Sequence, residues 1–475
     1  MKLKMLSCVK SLVLLGVGGS LLISGCSLAP THVTPQAPVP GSYGQEVDSK
    51  AVNGATVSQL EWQEFIQDPT LRRVIEVALE ENRDLRQALL NVQAARSQYR
   101  IEDSDRLPNV NLGLTAGRQR VSGDTSGTGS AETAATYQSN LGLSAFELDF
   151  WGRVKNLSES ALQEYLATEA AANTARITLI SEVTQAYLRR VGAQEQYDLT
   201  RKTLATRATG LALMAQRREF GNASDLDYQE SLSLTEQARA DLNSMERELA
   251  QADNALTLVV GRKLNVFTGQ ENQAVLLEEI RAGLPSELLL RRPDIQSAEH
   301  KLRARNAEIG AARAAFFPRI SLTGLGGASS SDLSNLFNSS ALTWQFLPQL
   351  SLPIFDNDRN QASLDLAQVR KEMAVAEYEK AIQTAFREVA DALASRDTLK
   401  EEESSRSALA ASSARSLELA RLRYEQGVDS HLRYLDAQRT DFANQITLIQ
   451  TRTQRQIALI QLFRALGGGW NTSRI

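Results

Sequence analysis

The sequence predicts a mainly helical chain with a membrane β part, and three observations carry that expectation. Prolines vanish from residues 109–284 and again after Pro353, and residues 359–426 contain neither glycine nor proline. Such gaps are what very long helices need, because an interior proline costs about 3 kcal/mol. Four short segments alternate apolar and polar residues, as half-buried or lipid-facing strands do. The N-terminus reads as an export and lipidation signal, which places the chain at a membrane.

That signal comes first along the chain. Lys2, Lys4 and Lys10 precede an apolar stretch from Val9 to Ile23, too short to span a bilayer securely. Leu22-Ile23-Ser24-Gly25 then leads to Cys26. The layout predicts a lipoprotein signal peptide over residues 1–25, cleavage before Cys26 and acylation of its thiol. Ser27 follows, where an aspartate would hold the protein at the inner membrane, so the outer membrane is the expected destination. Cys8 leaves with the signal, so no thiol remains for a disulfide or a thiolate metal site. His32, His300 and His431 show no ligand spacing, and no metal site is expected. Without the three signal lysines, 49 basic residues face 56 acidic ones, a net charge of −7 that argues against a nucleic-acid partner.

Prolines 30, 35, 38 and 40 crowd the segment after the lipid site. Residues 26–67 are therefore expected to form an extended, unpacked tether. Asp68-Pro69 then supplies an N-cap and a first-turn proline for a helix, and Arg292-Pro293-Asp294 opens what reads as its repeat-mate. Val110, Leu112 and Leu114 share one strand face; Trp344, Phe346, Leu350, Leu352 and Ile354 share another. Glycine-, serine- and threonine-rich stretches at 121–136 and 326–341 join the strands in pairs. In the long helices Ile177, Ile180, Thr184, Tyr187 and Val191 keep the 3/4 rhythm of a coiled-coil seam, as do Ile382, Phe386, Val389 and Leu393. Roughly 65 helical residues would run about 100 Å. Gly221 and Gly427 end these helices, and Ser224 and Ser430 can cap the helices that return.

The chain repeats itself. Leu107-Pro108-Asn109-Val110-Asn111-Leu112 corresponds to Phe317-Pro318-Arg319-Ile320-Ser321-Leu322, and Asp84, Leu85 and Ala88 to Asp294, Ile295 and Ala298, all at an offset of 210. Glu182-Val183 matches Glu388-Val389, while Gly221, Leu226 and Gly261 match Gly427, Leu432 and Gly467, at an offset of 206. A helix–strand–strand–helix–helix unit has been duplicated. The expected division is a first repeat at 68–261, a connector at 262–285, a second repeat at 286–467 and a tail at 468–475. Four strands per chain cannot enclose a pore in lipid, where unpaired edges are costly, so several copies must share one barrel.

Glu147-Leu148-Asp149-Phe150-Trp151-Gly152-Arg153, Gly310-Ala311-Ala312-Arg313-Ala314-Ala315-Phe316-Phe317-Pro318, Leu435-Asp436-Ala437-Gln438-Arg439 and Leu466-Gly467-Gly468-Gly469-Trp470 point to a family. Through them the chain resembles the outer-membrane efflux lipoproteins of the TolC superfamily, in the OprM-like branch, over nearly all its mature length. The resemblance implies a trimer with a shared twelve-stranded β-barrel and a long α-helical coiled-coil barrel crossing the periplasm, with the connector and tail in an equatorial belt. It implies a passive exit duct for drugs, served by a periplasmic membrane-fusion adaptor and an inner-membrane resistance-nodulation-division pump. It further implies that Leu432 and Asp436, four residues apart on one helix face, form apolar and carboxylate rings that constrict the periplasmic entrance. Arg423 and Tyr424 would tether the inner hairpin to the outer one, with Asp227 as acceptor. Arg433 stands where TolC has a gating aspartate, and Asp429 where TolC has a tethering arginine. No enzymatic constellation and no phosphate-binding loop is present, so neither an enzyme nor an energised pump is expected, and no cofactor beyond the lipid on Cys26. An outlet for protein secretion is the alternative on the same architecture; a structural coiled-coil lipoprotein is the alternative of another class.

Overall fold

A computed structural model describes residues 27–40, 61–127, 129–264, 276–277 and 291–468. The signal peptide, Cys26, most of the connector and the tail from Gly469 lie outside the described residues. The elements are α1 (Trp62–Phe65), α2 (Pro69–Glu81), α3 (Arg83–Ser104), β1 (Val110–Val121), β2 (Glu132–Glu147), α4 (Arg153–Glu219), α5 (Asp225–Val260), α6 (Pro293–Ala314), β3 (Arg319–Ser330), β4 (Leu342–Ser351), α7 (Arg359–Glu425) and α8 (His431–Ala465). The order α3–β1–β2–α4–α5 recurs as α6–β3–β4–α7–α8. Adding 206 to the bounds of α4 gives those of α7, and adding 210 to α3 gives α6. The repeat-mate of α6 is thus α3 and not α2, the helix that Asp68-Pro69 opens. Asp68 does cap α2, accepting from the Thr70 amide at 2.7 Å with Pro69 at the first helical position.

The chain packs as two compact units. One gathers Asn91–Glu169, Ser297–Glu379 and the described residues up to Gln36; the other gathers Ala170–Gln296 and Lys380–Ile475 with residues 37–90, so far as these are described. In the first unit the strands form one antiparallel sheet in the order β1-β2-β3-β4. The register pairs Leu112 with Leu141, Leu141 with Gly326 and Gly326 with Trp344; one step along, it pairs Val110, Leu143, Gly324 and Phe346. Directly paired residues share a face, so the apolar sets of all four strands lie on the same side. A bulge between Leu143 and Phe146, with Ala145 at φ 53°, inserts one residue and returns Phe146 to that side opposite Leu322. Leu112, Leu114, Trp344 and Phe346 are all more than 60 % exposed. Among the described residues β1 and β4 each pair on one edge only.

The joining loops are shorter than the composition suggested. Thr133, Ala134, Ala135 and Thr136 belong to β2 and pair with residues 117–120 of β1, because small residues are tolerated wherever partner amides are in register. β4 closes at Ser351, so Leu352 and Ile354 lie past the strand.

At the sheet-to-helix junction Arg153 donates two hydrogen bonds to Glu147, at 2.8 and 2.7 Å, and Arg319 adds a third contact at 3.0 Å. Trp151 stacks on Phe317 and its indole N–H donates to the Pro318 carbonyl. The two diagnostic motifs thus meet at one elbow.

The N-terminal segment does not behave as the expected free tether. Its prolines keep residues 27–40 out of helix and strand, but α4 and α6 hold its first residues. Asn306 donates to the Pro30 carbonyl at 2.7 Å, Arg313 to that of Leu28, and Ser27 bonds Asn156 of α4. At Gly310 a side chain would collide with the Ala29 backbone nitrogen, 2.7 Å from the position of its Cβ, so glycine admits the segment. The far end of the supposed tether is core: Trp62, Phe65 and Ile66 are buried, and Phe65 stacks on Phe463 with centroids 4.2 Å apart.

That core lies in the second unit. One face of α2 packs with Leu179, Ile180, Val183 and Tyr187 of α4, Leu256 and Val260 of α5, Val389 and Leu393 of α7, and Leu459, Ile460, Leu462 and Phe463 of α8. Val183 and Val389, repeat-mates, are both fully buried. The α4 and α7 seams are as the rhythm predicts, with Val191 and Phe386 at their half-buried edges. Buried Arg292 ties α6 to its surroundings: it reaches Asp294 at 2.6 Å, Glu388 at 2.8 Å and the Ala465 carbonyl.

Candidate functional site at the hairpin tips

Both helical hairpins turn by the same backbone device. The Gly221 amide donates to the Arg218 carbonyl and the Asn222 amide to that of Arg217; the Gly427 amide donates to Tyr424 and the Val428 amide to Arg423. These are Schellman pairs, and each needs a left-handed residue. Gly221 has φ 72° and Gly427 φ 71°.

The return helices start differently. Ser224 caps α5 in a reciprocal box with Asp227, whose carboxylate takes hydrogen bonds from the Ser224 hydroxyl at 2.6 Å and the Ser224 amide at 3.1 Å. These bonds hold the Asp227 carboxyl below its ordinary pKa. Ser430, expected to do the same for α8, makes no side-chain cap. The third helical position there is Arg433, a cation that cannot accept the reciprocal bond. Asp429 serves the turn instead: Arg423 donates to both its oxygens, at 2.7 and 3.0 Å, and lowers its pKa.

The expected tether is therefore rewired. Within the chain Asp227 is the acceptor of neither Arg423 nor Tyr424. Arg423 closes on Asp429 in its own turn, because that carboxylate lies six residues away on the same tip. The Tyr424 hydroxyl accepts from Arg217 of α4 at 2.9 Å, and this bond joins the two hairpins. The Tyr424 ring stacks parallel to Tyr434 at 5.8 Å and lies 5.1 Å from His431. Arg218 pairs with Asp225 and covers the Tyr228 ring.

Leu432 and Asp436 both lie on the exposed side of α8, while His431 and Leu435 pack inward. Asp436 is accompanied by Arg439 of the next turn at 3.3 Å. Sequence reasoning missed Arg217, Tyr434, Glu230 and His431. Ligand atoms of Asp227, Glu230 and His431 all lie within 4.8 Å of one another, across some 200 residues of sequence. Spacing between histidines could not reveal such a cluster. The signal that could have helped is the 206-residue offset, which sets Arg217 opposite Arg423.

An open four-stranded sheet with a bare apolar face, and long helical hairpins in duplicate, define an outer-membrane channel subunit of the TolC-like fold. The family model described as "Outer membrane efflux protein" matches residues 74–262 and 284–468, one match per repeat. The chain belongs to that family. It is similar to the "Outer membrane protein OprJ" of Pseudomonas aeruginosa, 54% identical over 460 residues that cover 96% of this chain and 95% of the relative. It is 42% identical to the "Solvent efflux pump outer membrane protein SrpC" of Pseudomonas putida, over 96% of this chain and 97% of that one. Among solved structures, a membrane protein from Pseudomonas aeruginosa is 53% identical, with a TM-score of 0.87 over 93% of this chain and 100% of its own. The MtrE outer membrane channel of Neisseria gonorrhoeae, in its open state, is 35% identical, with a TM-score of 0.84 over 94% of this chain and 98% of its own. The protein is an efflux channel of the outer membrane, a transport role.

Proposed function

We propose that three copies of the chain close a twelve-stranded barrel and form the passive exit duct of a tripartite multidrug efflux pump. The observation that carries this reading is the sheet. Its β1 and β4 edges are open and its apolar face is bare, a combination that lipid tolerates only when strands from other copies complete the ring. A periplasmic membrane-fusion adaptor and a proton-driven resistance-nodulation-division pump supply drug and energy, since an open pore does no work of its own. The names of the solvent and antibiotic efflux relatives support this partnership.

The hairpin tips form the entrance. Leu432 and Asp436 narrow it from three chains at once, and the Arg439 beside each Asp436 moderates the mutual repulsion of the carboxylates. The Arg217–Tyr424 bond and the Arg423–Asp429 pair hold the tips in place.

Deleting the gene in a strain without redundant outlets, then measuring susceptibility to chemically unrelated drugs with complementation, tests the duct. Broad and complemented sensitisation is expected. Unchanged susceptibility together with a lost secreted protein would transfer the reading to a secretion outlet.

A further inference from the structure

We propose that Asp227, Glu230 and His431 form a binding site for a divalent transition-metal ion of the zinc type, linking the first turns of α5 and α8. Three side chains from two hairpins converge there, with one ligand atom each and no two of these atoms more than 4.8 Å apart. A second observation concerns the histidine of the cluster. His431 is 9% exposed, and its Nδ1 is buried with no hydrogen-bond partner. A buried imidazole nitrogen left unpaired is costly, and a bound cation removes that cost.

The donor set suits the ion. One imidazole and two carboxylates are zinc ligands of ordinary kind, and three protein ligands leave a position for water. Two negative charges match a divalent ion. The two bonds that Ser224 makes to the Asp227 carboxylate both use Oδ2. The cation facing His431 is Arg217, which is occupied with the Tyr424 hydroxyl. Tetrahedral zinc places its ligand atoms about 3.4 Å apart, so no pair need close by more than about 1.4 Å, within the reach of rotamer adjustment. Tyr424 and Tyr434 wall the histidine and hold its ring.

The site does not depend on the gate. A metal there would pin the return helix of one hairpin to that of the other whether or not Asp436 lines a constriction.

The test uses the full-length protein, purified in detergent, stripped with chelator and titrated with zinc against a competing chelator. One zinc per chain is expected in the wild type. Affinity should fall at least tenfold in His431→Phe, which keeps the aromatic packing, and in Glu230→Gln, which alters a half-exposed side chain. Cobalt(II) should give visible bands of a nitrogen-ligated, low-coordinate ion in the wild type, lost in both variants. Equal melting of the metal-free proteins verifies that the variants fold; if His431→Phe does not, Glu230→Gln carries the test. A wild type that takes up no zinc, or folded variants that bind it as tightly, overturns the site.

Discussion

Asp436 and Tyr424 do different work at the same tip. Asp436 is exposed and pairs with Arg439, so replacing it removes a charge without disturbing packing. Asp436→Ala is expected to raise single-channel conductance in a planar bilayer; no change would remove Asp436 from the constriction. Tyr424 instead binds Arg217 across the hairpins, and Arg423 binds Asp429. Replacing Arg423 and Tyr424 together by alanine should increase conductance more than either single change, because it cuts two separate contacts. Away from the tips, Arg292 is buried among Asp294, Glu388 and the Ala465 carbonyl. Arg292→Ala leaves Asp294 and the Ala465 carbonyl without their cation, with Glu388 keeping Arg464 at 3.6 Å, and should destabilise the protein by about 3 kcal/mol, read as a lower denaturant midpoint.

At the scale of elements, the duplicated hairpins show what one substitution does to a helix start. α5 has the Ser224–Asp227 box; α8 has Ser430 but Arg433 where the acid should be, and its cap is missing. Ser224→Ala is expected to cost about 1 kcal/mol locally. Hydrogen exchange would report it as faster exchange at the first amides of α5, with α8 unchanged; an equal response in both helices would mean the cap matters little. The missing cap was legible in the sequence, since Arg433 is visible there, whereas the rescue by Arg423 and Asp429 needed the geometry of the turn. The strands teach a similar lesson. Alternation located all four, but not the extension of β2 through residues 132–136, where small residues carry no alternation signal and only the partner strand decides pairing. The segment at 61–67 was misread for a related reason. Four apolar-rich residues are too short for a periodic signal, and Trp62, Phe65 and Ile66 became core only because Phe463 and Leu276 come to meet them.

For the whole molecule, the proposed lipid on Cys26 and the barrel are attachments to the membrane that can be tested separately. Cys26→Ala should abolish metabolic palmitate labelling while drug resistance persists, because the barrel itself holds the protein in the bilayer. Labelling that survives in this variant would exclude Cys26 as the lipid site. The class of molecule, its duplication and its long helices were determined by the sequence alone, because proline placement, period and repeat offset are properties of the chain taken in order. The partners of individual side chains were decided only by the tertiary structure. Asp227 met Ser224 and not Tyr424, Arg217 met Tyr424, and His431 came within reach of two carboxylates some 200 residues earlier. Such choices turn on ångström distances between segments that the order of residues does not encode locally, and each charged group takes the acceptor its own turn or its neighbouring helix brings nearest.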